Sequence, residues 1–339
     1  MIGRRLLLGG LLAAVAARPA LATTVTDSAG RKVDLPERIT RVFAAGPPAS
    51  TLLYALAPQM MTGWVRMPRE AEKPFLLPSV HDLPTLGRLT GRGDTLNLEG
   101  LLANRPDLII DLGTVSGTYR SLADRVQAQT GIPYLLIDGR FANTPAALRL
   151  LGRILGVAER GEALARAAEA IFAMVDQVLA AVPPARRPHV YLARGPEGLE
   201  TGSRGSINTE IIERAGAVNV VEGPRERGGL VNASLEQVIG WAPDTIITLD
   251  RGFRDGLRDR AAWRPVPAVA AGRVFLAPNL PFGFIDSPPS VNRLIGLTWL
   301  LHRLYPAEAP GVLRDQIRDF YRLFYQVEPD AAALDRLLA

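Results

Sequence analysis

The 339-residue chain predicts an α/β fold of two similar lobes, each built on a parallel sheet, joined by one long interlobe helix. Three observations carry this expectation. Short apolar runs rich in β-branched residues alternate with helical patterns, one amphipathic stretch is much longer than the others, and one helix–strand unit occurs twice.

The apolar runs lie at residues 41–45, 108–112 and 134–138, and again at 190–193, 245–249 and 273–277. Each has strand length and is separated from the next by a helical stretch. That is the arrangement of βαβ units, whose sheets bind ligands beyond the carboxyl ends of their strands.

Over residues 159–182, Leu164, Ala168, Ile171, Val175, Val178, Leu179 and Val182 recur at three- and four-residue steps and form one helical face. At 1.5 Å per residue this helix is roughly 36 Å long. Pro183-Pro184 stops it. It reads as a stiff strut between lobes or, more simply, as a helix within one of them.

The repeat has an offset of 137 residues: Leu98-Glu99 aligns with Leu235-Glu236, and Pro106-Asp107 with Pro243-Asp244, with six identities across the unit. Asn97 or Ser234 precedes Leu-Glu as a helix cap, and the acid falls in the first turn, where the positive helix end favours it. Pro-Asp then ends the helix and opens a strand. The chain thus divides into two Rossmann-like lobes, 23–158 and 183–339, around the helix 159–182.

Composition excludes several functions. With no Cys and only His81, His189 and His302, thiolate zinc sites, iron–sulfur clusters, disulfides and cysteine nucleophiles are ruled out, and no metal site is expected. The net charge of +5 falls to +2 once Arg4, Arg5 and Arg18 of the first 22 residues are set aside. The remaining Lys and Arg are scattered, so nucleic acid is not an expected partner.

Those 22 residues read as a signal peptide. Arg4-Arg5 precedes an apolar run over 6–17, too short to span a bilayer, and Ala20 and Ala22 suit cleavage after Ala22. The twin Arg permits twin-arginine as well as general secretory export. The expected location is the periplasm.

Several pieces then come together: Thr26-Asp27-Ser28-Ala29-Gly30-Arg31-Lys32-Val33, Pro36-Glu37-Arg38-Ile39, the two Leu-Glu…Pro-Asp units, the strut, and Ala215-Gly216-Ala217-Val218-Asn219-Val220. In this order the chain resembles the class III periplasmic substrate-binding proteins of ABC importers for iron–siderophore, haem and cobalamin. The stretch 281–296, beginning Pro281-Phe282-Gly283-Phe284, resembles a subgroup that includes molybdate and tungstate binders. The resemblance implies a monomeric, non-enzymatic protein with no cofactor, a ligand held in an interlobe cleft with modest closure, and a permease dimer as partner. It further implies docking through one acid per lobe, by motif position Glu99 and Glu236. The duplicated lobes independently present matching acids to a two-fold permease, while service to the first helical turn is the simpler role for both.

Loops after the strands supply the ligand candidates: Ser50 in the turn 46–51, Arg88, Tyr119 and Arg120 in one lobe, and Arg204, Arg251, Phe282 and Phe284 in the other. Arg194, Trp64 and Trp263 also merit attention, and backbone N–H groups at 46–51 offer an anion site. Arg recurs in these loops whereas His and paired carboxylates do not. Forked guanidiniums suit an anionic ligand, an iron chelate or an oxyanion such as molybdate, over a naked metal ion. Haem or cobalamin remains the alternative cargo, with Tyr119 or His81 as the haem ligand. A periplasmic hydrolase would need a nucleophile elbow, a phosphate loop or a histidine pair, and none occurs.

Overall fold

The computed structural model describes residues 21–91, 96, 98–223 and 229–339. Residues 1–20, which hold most of the expected leader, the segments 92–95 and 224–228, and Asn97, the expected helix cap, lie outside them. A hairpin of β1 (Leu21–Thr26) and β2 (Lys32–Pro36) opens the chain. There follow β3 (Val42–Ala44), α1 (Pro47–Leu56), α2 (Leu98–Asn104), β4 (Leu108–Gly113), α3 (Gly117–Thr130), β5 (Tyr134–Asp138) and α4 (Thr144–Ile154). Strands β3, β4 and β5 form a parallel sheet in that order, buried on both faces as a layer between helices must be.

The strut is α5 (Ala158–Ala181), its inward face made by Leu164, Ala165, Ala168, Val175 and Val178. The second lobe contains β6 (His189–Ala193), β7 (Glu200–Gly202), α6 (Glu210–Arg214), β8 (Val218–Asn219), β9 (Leu230–Asn232), α7 (Leu235–Trp241), β10 (Thr245–Thr248), α8 (Arg251–Gly256), α9 (Pro267–Ala270), β11 (Val274–Leu276) and α10 (Arg293–Leu304). Its parallel sheet has the order β11-β10-β6-β8. The fold is therefore the α/β, parallel-sheet architecture expected, with α5 packed against α4, α1 and α10.

The repeat is visible in the backbone. Arg105 and Ala242, 137 positions apart, both adopt left-handed φ, at 49° and 47°. Asp107 Oδ2 then accepts from Thr40 N at 2.7 Å and Arg41 N at 2.9 Å, ahead of β3. Asp244 Oδ2 accepts from His189 N at 2.8 Å, the first residue of β6. In each lobe the Pro-Asp unit thus ends a helix and pins the neighbouring strand. The equivalences β3 with β6, β4 with β10 and β5 with β11 give both sheets one order.

The end of the chain returns to the first lobe. After α11 (Leu313–Phe320), a π-helical turn at Tyr321–Tyr325 packs on α1, where Tyr54 Oη donates to Tyr325 O at 2.8 Å, and α12 (Ala331–Leu338) closes the chain. Arg160, in the first turn of α5, donates to Ala55 O at 2.9 Å and to Phe324 O at 3.3 Å, tying strut, α1 and C-terminal segment together.

Candidate functional site

A cavity of about 790 Å³ opens where the carboxyl ends of both sheets face each other. From the first lobe come Ser50 and Thr51 of α1, Asp111–Val115 at the end of β4, Ile137 of β5 and Tyr119 of α3. From the second come Arg194, just past β6, and Asn208, with the loop 281–289 closing one side. This is where parallel sheets place their ligands.

Apolar contacts shape one wall. Trp64 and Phe282 line it, their ring centroids 6.3 Å apart, and Tyr54 backs both at 5.7 Å and 6.0 Å. Trp64 is fixed by its Nε1, which donates to Val80 O at 2.7 Å.

Among the described residues of the lining, Arg66, Arg88 and Arg194 and Glu72, Asp111 and Asp286 carry charge. Arg66 grips Glu72 through two hydrogen bonds of 2.7 and 2.8 Å, and Arg69 Nε adds a third at 2.9 Å. Burial pushes the Glu72 carboxyl up, but these donors outweigh it and hold the group below the usual carboxylate range. Asp111 is buried, accepting from Thr90 Oγ1 at 3.1 Å and Tyr134 Oη at 3.2 Å, and burial raises its pKa to about 6. Asp286 is fully enclosed. Its Oδ2 accepts from Arg194 Nη1 and from Asn208 Nδ2 at 2.9 Å, and burial outweighs Arg194 to raise its pKa.

Of the ligand candidates read from the sequence, Ser50, Arg88, Tyr119 and Phe282 line this cavity. The other four do not. Arg120 is exposed on α3, and Arg251 is exposed at the start of α8. Arg204 is drawn back to Asn219 O at 2.7 Å and Glu222 at 3.3 Å, bracing its own lobe. Phe284 is wholly buried because Gly296 of α10 lets the helix approach its carbonyl. Trp263 packs edge-on against Phe253 in a separate core, and His81 Nε2 is engaged by Lys73 O and Leu76 O at 3.0 Å, neither residue reaching the cavity.

The anion-binding turn expected at 46–51 is weakened by its own residues. Pro47 and Pro48 occupy the first helical positions without N–H groups, and Ser50 N is spent on Gly46 O at 3.0 Å. Ser50 Oγ, buried and without a hydrogen-bond partner, is the donor this turn offers instead.

Glu99 and Glu236 are both exposed in the first turns of α2 and α7. Ser234 caps α7 in a reciprocal box with Gln237, and hydrogen bonds at this helix start lower the Glu236 pKa. Sequence reasoning missed Arg66, Glu72, Asp111, Asn208 and Asp286 as wall residues. The signal for the first two was the long irregular connection between α1 and α2, a length that compact domains seldom tolerate without use.

The comparisons with known proteins agree with this geometry. Residues 63–280 match the family model described as periplasmic binding protein. The chain is 26% identical to the molybdate-binding protein MolA of Haemophilus influenzae, across 97% of this chain and 99% of that protein. A solved ABC transporter solute binding protein from Sulfurospirillum deleyianum is similar with a TM-score of 0.84 and 31% identity, covering 93% of this chain and 98% of that one. MolA bound to molybdate shares the fold, with a TM-score of 0.75 and 23% identity over 91% of this chain and 100% of that one. Matching lobes with a cavity at their seam and a family model spanning most of the chain lead to one conclusion: this chain belongs to the periplasmic binding protein family, whose members bind solutes and are not enzymes.

Proposed function

We propose that this protein, exported by the leader 1–22, captures an anionic metal species in the interlobe cavity as a monomer and delivers it to the permease dimer of an ABC importer. The lobes of this reading are 23–158 and 183–339, and Glu99 and Glu236 are the docking acids. The observation that carries it is the convergence of Arg66, Arg88 and Arg194, from three separate segments, on one cavity that also holds the unpartnered Ser50 hydroxyl. Forked guanidiniums and a hydroxyl donor suit oxyanion or carboxylate oxygens. Ser50, Arg88, Tyr119 and Phe282 are the ligand contacts of this reading.

A molybdate- or tungstate-type oxyanion is the first cargo, supported by the relative named as a molybdate binder. Cavity size favours a second. Four oxygens displace about 120 Å³ at water's share of about 30 Å³ each, so roughly 790 Å³ leaves room for an organic chelator around a ferric ion.

Calorimetry and tryptophan fluorescence on the mature protein, titrated with molybdate, tungstate, ferric carboxylate chelates, haem and cobalamin, test the proposal. An anion should bind without turnover and change the emission of Trp64 in the wall. Preference for neutral cobalamin over every anion overturns the anionic reading.

A further inference from the structure

The arginines of the cavity wall are committed to different degrees. Arg194 is held on two sides: its side chain is only 17% exposed, Nε meets Glu200 Oε1 at 3.0 Å, and Nη1 meets Asp286. Arg66 lines the same cavity with a side chain 58% exposed, so its guanidinium is open to solvent as that of Arg194 is not.

The anchor of Arg66 is rigid. One forked edge of the guanidinium, Nη1 with Nη2, holds Glu72 at 2.8 and 2.7 Å, and Nη1 also reaches Met67 O at 3.2 Å. Glu72 is 2% exposed and does not rely on Arg66 for its place, because Arg69 N donates to it at 2.8 Å and Arg69 Nε at 2.9 Å. At the other end, Arg66 leaves the chain two residues after Trp64, whose N–H donates to Pro84 O at 2.9 Å and whose carbonyl accepts from Leu86 N at 2.8 Å. A long side chain with much rotamer freedom to lose is thereby held at both ends before any ligand arrives.

What remains is the second edge. Among the described residues, nothing engages Arg66 Nε–H or the other Nη2–H. These two donors lie parallel and match two oxygens of a carboxylate or an oxyanion. Resting on the anionic-ligand reading above, we propose that Arg66 grips the ligand through its Nε–Nη2 edge and that Glu72 is the positioning residue that holds this edge ready. Glu72, buried behind the guanidinium, acts through Arg66. The pair selects ligands that present two adjacent anionic oxygens.

The test is calorimetric titration of the mature protein and its variants with molybdate, tungstate and ferric citrate, using whichever of them the unaltered protein binds. Arg66→Ala should weaken binding by between about tenfold and a hundredfold, the range for hydrogen bonds to charged groups. Arg66→Lys keeps the charge but has no forked edge, and should still lose about tenfold. Affinity within about twofold of the unaltered protein in either variant overturns the proposal, and these measurements decide even where replacing Glu72 prevents folding.

Glu72→Gln separates positioning from charge. Removing a carboxylate beside the cavity would by charge alone strengthen anion binding, whereas loss of the anchor should weaken it about fivefold. In the Arg66→Ala background the same change should no longer weaken binding, since no edge is left to hold. Unchanged or improved affinity in Glu72→Gln with Arg66 present, or an equal loss with Arg66 absent, overturns the positioning role. Failure of all three probes to bind the unaltered protein removes the anionic reading and this proposal together, an outcome distinct from undiminished binding by Arg66→Ala.

Discussion

Arg293 Nη1 and Glu210 Oε1 meet at 2.5 Å where the two lobes join, the guanidinium almost wholly buried. The same guanidinium donates to Gly139 O at 2.8 Å in the first lobe and to Ile207 O at 3.0 Å in the second, and lies 4.6 Å over the Phe141 ring. Glu210 in turn accepts from Phe141 N at 2.8 Å. The pair therefore rivets the seam directly beneath the cavity. Replacing Arg293 with Met should cost about 3 to 5 kcal/mol, because Glu210 is left half-dry without its cation. Thermal unfolding should show a fall in Tm of roughly 10 °C. A loss below about 1 kcal/mol would show that the pair contributes little to holding the seam.

A second expectation concerns Asp111. Its carboxyl sits at about 6 in the folded protein, against about 3.9 unfolded, because burial disfavours the charge. Between those values the folded state holds the extra proton, so the contribution of this group to stability is greatest below pH 4 and is lost as pH rises through 6. At pH 7 the cost is about 3 kcal/mol at most. Asp111→Asn should therefore raise stability at pH 7 and lose that advantage at pH 4. Denaturant titrations of both proteins at the two pH values check this, and a difference independent of pH contradicts it.

Close approach of α10 to the cavity wall depends on Gly296. A Cβ there would lie 1.7 Å from Phe284 O, within the loop that carries Phe282 and Asp286. Gly296→Ala should cost about 3 kcal/mol through overpacking and weaken ligand binding by displacing that loop. Unchanged denaturation midpoint and unchanged affinity would mean that the loop yields without consequence.

The proposed docking role of Glu99 and Glu236 gives a prediction with two separable readouts. Exchanging Glu99 and Glu236 for Arg should leave ligand affinity within about twofold, since both are exposed in the first turns of their helices and neither lines the cavity. Transport in a reconstituted importer should be lost. Normal transport by the double variant would assign these residues to helix starts alone.

Much of the fold was legible because its signals are local. The Leu-Glu…Pro-Asp units announced a helix start, a stop and a strand within about a dozen residues, and the structure adds the Asp107 and Asp244 clamps that make those units work. The site was legible only in part. Ser50, Arg88, Tyr119 and Phe282 follow from the segments after the strands, whereas Arg120, Arg204 and Arg251 occupy equally suggestive positions in sequence but do not line the cavity.

By itself the sequence determined the two lobes and the strut, since periodicity, caps and breakers act over a few residues and need no knowledge of distant partners, while the solute-binding class came from its resemblance to a family. Tertiary structure alone decided that Asp286 meets Arg194 from 92 positions away, and that Arg66 is matched by Glu72 at the same cavity. The physical reason is that charge balance belongs to a volume. Which groups share that volume depends on how the whole chain packs.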